Sequence, residues 1–307
     1  MKANFFVIIA TYNAMKWAER CFGSLRRSSV PVKTIAVDNG STDGTQDFIK
    51  NNFPEVEFIQ SEENLGFGKA NNIGIEKAYK QGAEFFYLMN QDAWIFEDSF
   101  EKLLEVYEKH PHKEEIGILS PMHLDGSEEN LEIFIDKYIA QNFKNRLISD
   151  LYFNRAKKFY EVAFINAAHW LITKDTIKKV GGFNPFFFHY GEDNEYVNRV
   201  HYHKKKILLC TECRAVHDGT QDLNKVDYTK YQDYKVETKI LDPNLNGSWQ
   251  TEISELRKSI LKNIVLRDFS RAKILMKKLN GLKKQKEVLS FYAQEVRLAK
   301  ASFLDLQ

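Results

Sequence analysis

Phe85-Phe86-Tyr87-Leu88-Met89-Asn90-Gln91-Asp92 is the stretch on which the reading of the chain turns. Five apolar residues suffice for one buried strand, and the run stops on two amides and an acid. A carboxylate at the end of a buried strand is costly to desolvate unless it meets a cation or hydrogen-bond donors. In open α/β sheets, ligands sit at the carboxyl ends of the strands. Two readings of Asp92 stay open: it holds a divalent metal that holds a phosphate, or it closes an Asx turn and caps the next segment.

Working outward, the same strand-then-turn unit recurs. Residues 4–10 form a continuous apolar run that ends on Thr11-Tyr12-Asn13, and residues 14–29 have helical spacing. Val32 to Val37 is a second strand. Asp38-Asn39-Gly40-Ser41-Thr42-Asp43-Gly44-Thr45 closes it with turn chemistry and feeds a helix over about 43–53, with Thr42 or Asp43 as its N-cap. Val56 to Gln60 is a third strand, and a helix over 68–81 follows Asn64-Leu65-Gly66-Phe67-Gly68. Strands alternating with helices in this way imply βαβ units and a mainly parallel sheet. Right-handed crossovers then put Thr11, Asp38 and Asp92 along one edge.

Downstream, residues 98–110 read as a helix and Ile116 to Leu119 as a strand. Residues 125–160 read as an irregular insertion over the sheet edge. Strands are expected at Val162 to Asn166, His169 to Thr173, Ile207 to Cys210 and Arg214 to His217. Helices are expected over 174–180, ended by Gly181-Gly182, and from Gly191 to about His203. Residues 250–278 and 281–303 have helical spacing with many Lys and Arg, and no sheet pattern.

The chain has 307 residues, 43% apolar and 28% charged, with 23 Phe and 14 Tyr, so a sizeable core can form. A net charge of +2 gives no global field for nucleic acid. Cys21, Cys210 and Cys213 make no even framework and point to a reducing, cytoplasmic setting. Cys210-x-x-Cys213 is half a zinc pattern without its second half. No segment reaches the roughly 18 apolar residues of a spanning helix, and the start lacks a secretory pattern.

Several side chains carry chemistry. Asp38 either accepts from a base or ribose or caps the following helix, and Tyr12 either stacks on a base or covers the sheet edge. Asn64, Gly66 and Lys69 belong to a loop whose backbone donors and cation suit a diphosphate, unless it is only a turn. Glu192 and Asp193 sit at a helix start, where acids are favoured in any case; if buried, one of the pair has a raised pKa and suits a general base. His217 is either a satisfied partner or, with Asp92, a ligand for Mg²⁺ or Mn²⁺. The aromatic loop Phe183–Tyr190 offers rings to sugar faces or to the core.

Val7-Ile8-Ile9-Ala10-Thr11-Tyr12-Asn13, Val37 to Thr45, Asn64-Leu65-Gly66-Phe67-Gly68-Lys69-Ala70-Asn71-Asn72, Asn90-Gln91-Asp92 and Gly181-Gly182-Phe183…Gly191-Glu192-Asp193 occur in the order seen in family 2 inverting glycosyltransferases. Over roughly residues 4–220 the chain resembles the bacterial rhamnosyltransferase-like branch of that family. The resemblance implies a GT-A (nucleotide-diphospho-sugar transferase) fold and a nucleotide-sugar donor, dTDP-rhamnose or a UDP-hexose. It implies a saccharide or lipid-linked acceptor in bacterial surface polysaccharide synthesis. It assigns Thr11, Tyr12, Asn13, Asp38, Asn64, Gly66, Lys69, Asn72, Gln91 and Asp92 to the donor, Asp92 and His217 to a divalent metal (Mg²⁺ or Mn²⁺), and Asp193, beside Glu192, to catalysis. Asn90 stands where the family has its first metal-motif acid, which keeps an oxygen and loses a charge.

These expectations divide the chain into a catalytic domain over 1–220 and a helical extension over 221–307. The nucleotide-binding half is about 1–120 and the acceptor-binding half about 121–220, with Phe188, His189 and Tyr190 at the acceptor. The basic, amphipathic extension docks peripherally on a membrane, pairs two subunits, or packs on the catalytic domain. Two other function classes remain: a non-catalytic or degenerate sugar-nucleotide-binding module, and a nucleotidyltransferase. The latter usually has a glycine-rich basic loop where Thr11-Tyr12-Asn13 stands.

Overall fold

The computed structural model describes residues 4–135, 138, 146–219, 234–245 and 249–307. The first half is a parallel α/β unit. Strands β1 (Phe5–Thr11), β2 (Lys33–Asp38), β3 (Glu57–Gln60) and β4 (Phe85–Met89) pair in parallel in the spatial order β3-β2-β1-β4. Their crossovers carry α1 (Ala18–Arg26), α2 (Thr45–Asn52) and α3 (Phe67–Lys80). Successive side chains of a strand point to opposite faces, so β1 and β4 feed two cores at once. Phe6, Ile8, Phe86 and Leu88 meet α3 on one face, through Ala70, Ile75 and Ala78. Phe5, Val7, Ile9, Tyr87 and Met89 meet α1 on the other, through Ala18, Cys21 and Phe22. That double burial is why the strands read as unbroken apolar runs.

The rest of the sheet corrects the expectation of a mainly parallel arrangement. The described strands make one mixed sheet of nine, ordered β3-β2-β1-β4-β8-β6-β9-β5 with β7 on β9. Past β4, β5 (Ala93–Ile95) leads into α4 (Ser99–Lys109), whose Phe100, Leu103 and Val106 join the second core. β6 (Ile116–Leu124), α5 (Leu147–Tyr152), β7 (Phe159–Val162) and β8 (His169–Thr173) follow. β8 runs antiparallel to β4 and to β6. After α6 (Lys174–Val180) and α7 (Glu192–Tyr202), β9 (Lys206–His217) returns parallel to β6. The sequence suggests two short strands here. The structure has a single strand of 12 residues, with a register shift that bulges residues 211–213 between Cys210 and Arg214. The strand expected at 162–166 lies earlier, at β7, and Gly44, not Thr42 or Asp43, is the N-cap of α2.

Beyond residue 234 come α8 (Lys235–Leu241), α9 (Trp249–Val265), α10 (Phe269–Lys284) and α11 (Lys286–Glu295). Their buried Ile240, Leu241, Ile253, Leu256, Ile260, Leu279, Leu282 and Leu289 form a core of their own, which Phe187 enters. The segment 296–306 then runs back to the sheet domain. Gly182 N donates to Ser302 O at 2.9 Å, Asp305 N donates to Glu76 Oε1 at 2.8 Å, and Leu304 and Leu306 pack on the first core. Gly181 has φ +87°, and a Cβ there would lie 2.2 Å from Ser302 O, so only glycine admits this segment.

Candidate active site

The carboxyl ends of β1, β2 and β4 meet the end of β9 at one edge. Thr11 and Asp38 are register partners, and Thr11 Oγ1 donates to Asp38 Oδ1 at 2.8 Å. Both are fully buried. Asp38 Oδ1 also accepts from Ser41 Oγ at 2.5 Å, and Oδ2 accepts from Ser41 N at 2.9 Å and Gln46 Nε2 at 3.0 Å. The carboxylate therefore ties β1, β2 and its own loop together, whatever else it meets. Asn13, at φ +52°, donates from its backbone to Ser41 Oγ and accepts from Thr42 N, closing the floor of the same corner. Tyr12 is 46% exposed at the rim. Its backbone is clamped by Gln91, whose Oε1 accepts from Tyr12 N at 2.6 Å and whose Nε2 donates to Tyr12 O at 3.1 Å.

Asp92 reaches His217, with Oδ1 3.6 Å from Nε2. Antiparallel pairing of Ala93 with His217 makes this meeting, helped by Asp218 N donating to Asp92 O at 2.8 Å. On its far side the imidazole lies 2.7 Å, at Nδ1, from Glu132 Oε1. Burial would lower the His217 pKa, but the Asp92 and Glu132 carboxylates raise it well above the usual histidine value. Burial would raise Asp92 and Glu132, and the same imidazolium holds both below the ordinary carboxylate range. Behind them, Glu132 Oε2 is 3.2 Å from His123 Nδ1, and His123 Nε2 is 3.0 Å from Ser120 Oγ. Burial lowers the His123 pKa and leaves it neutral. Nothing local in the sequence signals Glu132 or His123. They fall at the edge of the stretch read as an irregular insertion, and each finds its partner only through the fold.

The residues fit a divalent cation. Asn90 Nδ2 lies 3.3 Å from His217 Nε2, and Asn90 Oδ1 is buried with no hydrogen-bond partner among the described residues. An uncommitted oxygen donor thus stands beside the Asp92–His217 pair; once Nε2 gives up the proton that Asp92 and Glu132 favour, carboxylate, amide and imidazole make a mixed oxygen and nitrogen set for a divalent cation. A second group, His112, Glu114 and Glu115, also has its ligand atoms within 4.8 Å of one another. It lies at the start of β6, roughly 25 Å along the strand from the end that neighbours His217.

Glu192 and Asp193 begin α7 and differ in surroundings. Glu192 is 6% exposed, and its Oε2 has no hydrogen-bond partner among the described residues. Burial, then the adjacent Asp193, push it up to about 8, so it carries a proton at neutral pH. Asp193 accepts from Asn194 N at 2.7 Å and Nδ2 at 2.9 Å, and burial raises its pKa too. Asp193 and His217 border one cavity of about 370 Å³, with Phe134, Tyr138, Phe164 and Asn166 in its walls.

The glycine loop is braced against the aromatic loop. Asn64 Oδ1 accepts from Gly66 N at 2.9 Å, an Asx turn. Gly66 has φ +82°, and a Cβ there would lie 2.2 Å from Phe188 O. Lys69 is exposed in the first turn of α3 and makes no ion pair among the described residues. Asn72, expected among the donor-binding residues, is committed elsewhere. Its Oδ1 accepts from Phe183 N at 2.7 Å, and its Nδ2 donates to Phe183 O at 2.8 Å and Phe303 O at 3.2 Å. Both ends of the amide are taken by backbone, so Asn72 positions the 183 loop. Of the aromatic loop, Phe186 and Phe187 pack into the helical core, whereas Phe188 is 52% exposed. The His189 and Tyr190 rings lie 4.0 Å apart, with Tyr190 at φ +68°. Cys210 and Cys213 are buried and unpaired, Cys213 Sγ donating to Ser99 O.

Residues 6–119 match the model of glycosyl transferase family 2. Over this stretch, little more than a third of its length, the chain is similar to that family. The chain is 28% identical over 128 residues to N-acetylglucosaminyl-diphospho-decaprenol L-rhamnosyltransferase of Mycobacterium tuberculosis (strain CDC 1551 / Oshkosh), covering 39% of this chain and 41% of that protein. The same enzyme from strain ATCC 25618 / H37Rv gives the same values, so the matched stretch is less than half the length of these relatives. Among solved structures, S. aureus TarS 1-349 in complex with UDP-GlcNAc superposes with TM-score 0.52 at 17% identity, over 96% of this chain and 88% of that one. TarS 1-349 in complex with UDP gives 0.54 at 15% identity, over 81% and 68%. The chain therefore has the GT-A fold: a mixed sheet between helices, followed by a helical region.

Proposed function

We propose that the chain is an inverting glycosyltransferase that moves a sugar from a nucleoside-diphosphate donor to a hydroxyl acceptor. The observation that carries this is a shared cavity: Asp193 and His217 border the same 370 Å³ space, and Asp92 stands 3.6 Å behind it on His217 Nε2. Asp193 takes the proton of the acceptor hydroxyl as that oxygen attacks the anomeric carbon. The new C–O bond forms opposite the bond to the diphosphate, which breaks, so the anomeric centre inverts. Glu192, protonated beside it, spares Asp193 a neighbouring negative charge. Asp92 and His217, with Asn90, would hold a divalent cation that offsets charge on the departing diphosphate. Lys69 adds a further positive charge. Thr11, Tyr12, Asn13, Asp38, Asn64, Gly66 and Gln91 form the nucleotide side, and Phe188, His189 and Tyr190 the acceptor side.

The M. tuberculosis relatives are named for a lipid-linked acceptor and a rhamnosyl donor, and the solved neighbours for UDP-GlcNAc. We therefore place this chain with dTDP-rhamnose or a UDP-hexose as donor and a saccharide or lipid-linked acceptor, in surface polysaccharide synthesis, on the cytoplasmic side of a membrane. Unpaired cysteines support that compartment. The separate core of α8–α11 supports a division into a catalytic domain over 1–220 and an extension over 221–307. The test is a screen of UDP-, dTDP- and GDP-sugars, with Mn²⁺, Mg²⁺ or chelator, read by thermal stabilisation and donor hydrolysis. One donor class should stabilise the protein and be hydrolysed only with metal; silence towards all of them would overturn the reading.

A further inference from the structure

Leu261, Ile264 and Val265 are spaced i, i+3, i+4 and so share one face of the last turns of α9. The chain then turns through Leu266, Arg267 and Asp268 into α10, whose first residue is Phe269. All five apolar side chains are exposed, from 41% at Ile264 to 80% at Val265. They are surplus to the hairpin's own packing, which uses Ile253, Leu256, Ile260, Leu279 and Leu282.

The turn that presents them is built rather than loose. Leu266 N donates to Lys262 O at 3.0 Å, Arg267 N to Ile264 O at 3.0 Å, and Asp268 N to Asn263 O at 2.9 Å. Arg267 takes the left-handed conformation at φ +58° that ends a helix. Asp268 starts the next one by accepting from Arg271 N at 2.9 Å. Several large apolar residues are thus held outward on a fixed tip, where water makes each of them unfavourable.

Charge selects the occupant. Residues 249–290 hold eleven Lys and Arg against four Asp and Glu, a net +7, so the rest of the chain carries −5. Lys262, Arg267 and Arg271 lie within or beside the tip. Two such hairpins repel one another, which disfavours a second copy tip to tip. A nucleic acid answers the charge but not the apolar side chains. A bilayer with anionic headgroups answers both, with apolar residues entering the acyl boundary and the cations meeting phosphates.

We propose that the α9–α10 tip is a docking surface for an anionic lipid bilayer. This goes beyond the transferase reading and stands without it, because vesicle binding and sugar transfer are read separately. The experiment is flotation of the full chain with vesicles of phosphatidylcholine alone and of phosphatidylcholine with phosphatidylglycerol, at low and high salt. Three proteins are compared: the native chain, Val265→Glu with Leu266→Glu, and Lys262→Glu with Arg271→Glu. All these side chains are solvent-facing, so each variant should keep the native circular dichroism and melting temperature. The native chain should float with the anionic vesicles, weaken in high salt, and lose at least about tenfold in partitioning in either variant. No flotation with anionic vesicles, equal flotation with neutral ones, or flotation unchanged by the tip variant would overturn the proposal. Sedimentation that shows a dimer abolished by the tip variant, without vesicle binding, would instead assign the tip to self-contact. Hydrolysis of donor in solution should be the same in all three proteins, which keeps a failure here distinct from a failure of the transferase reading.

Discussion

Replacing Glu192 with Gln should make the protein more stable in alkali and leave it nearly unchanged in acid. Glu192 is buried at the start of α7 with one carboxyl oxygen unpartnered, and its pKa moves from 4.5 to about 8. The folded state therefore keeps a proton that the unfolded chain releases. Below about pH 4.5 both states are protonated and the contribution to stability is fully present. As pH rises towards 8 it is lost, at about 1.4 kcal/mol per unit. The ceiling is about 5 kcal/mol; relaxation of the helix start and water entry bring the expected effect to about 2–3 kcal/mol. Gln keeps the shape and never ionises. Urea unfolding of both proteins, followed by tryptophan fluorescence at pH 5, 7 and 9, should give curves that nearly coincide at pH 5 and separate steadily above it, Glu192→Gln being the more stable. Parallel curves across that range would show that the carboxyl is solvated in the folded state, and would remove the basis for treating Glu192 as the protonated neighbour of Asp193.

Asp193→Asn should lower kcat about 10²- to 10⁴-fold with donor affinity unchanged within a few-fold, measured by sugar transfer and calorimetry; unchanged turnover would move the base elsewhere. Glu132→Ala, which leaves His123 and His217 without their buried partner, should cost about 3–5 kcal/mol in urea unfolding. Thr11→Val deletes the donor to Asp38 and should cost about 1–2 kcal/mol by the same measurement. Gly181→Ala places a Cβ 2.2 Å from Ser302 O at a left-handed φ, so amide exchange should accelerate over 296–306 more than elsewhere.

What the sequence made legible depended on range. β1, β2 and β4 are buried on both faces, and their apolar runs state this directly. The convergence of Thr11, Asp38 and Asp92 on one edge followed from right-handed crossovers, a rule of connection rather than of contact; the Gln91 clamp on Tyr12 did not. β5 has three residues, too few for a periodic signal. β9 looked like two strands because its bulge places Thr211 and Glu212 in the middle of the run. Asp43 resembled a cap, yet it accepts from Thr45 N and Oγ1 while glycine takes the cap position. Glu132 lies 85 residues from His217, and Asn72 lies 111 from Phe183; no local pattern encodes such partnerships. The aromatic loop divided because α8–α11 supply a core for Phe187 and a packing surface for Phe186.

The return of residues 302–306 onto Gly181, Gly182 and Asn72 sets an order on synthesis. Every strand of the sheet leaves the ribosome before the segment that covers this part of it. Until Ser302 and Phe303 emerge, Asn72 Nδ2 lacks the second of its two acceptors, the Gly182 N–H lacks its own, and the surface awaiting Leu304 and Leu306 stays open to water. A nascent chain halted near residue 295 would thus hold nearly all its secondary structure and still present an open apolar seam beside Phe183, the mark by which chaperones and proteases sort unfinished products from finished ones.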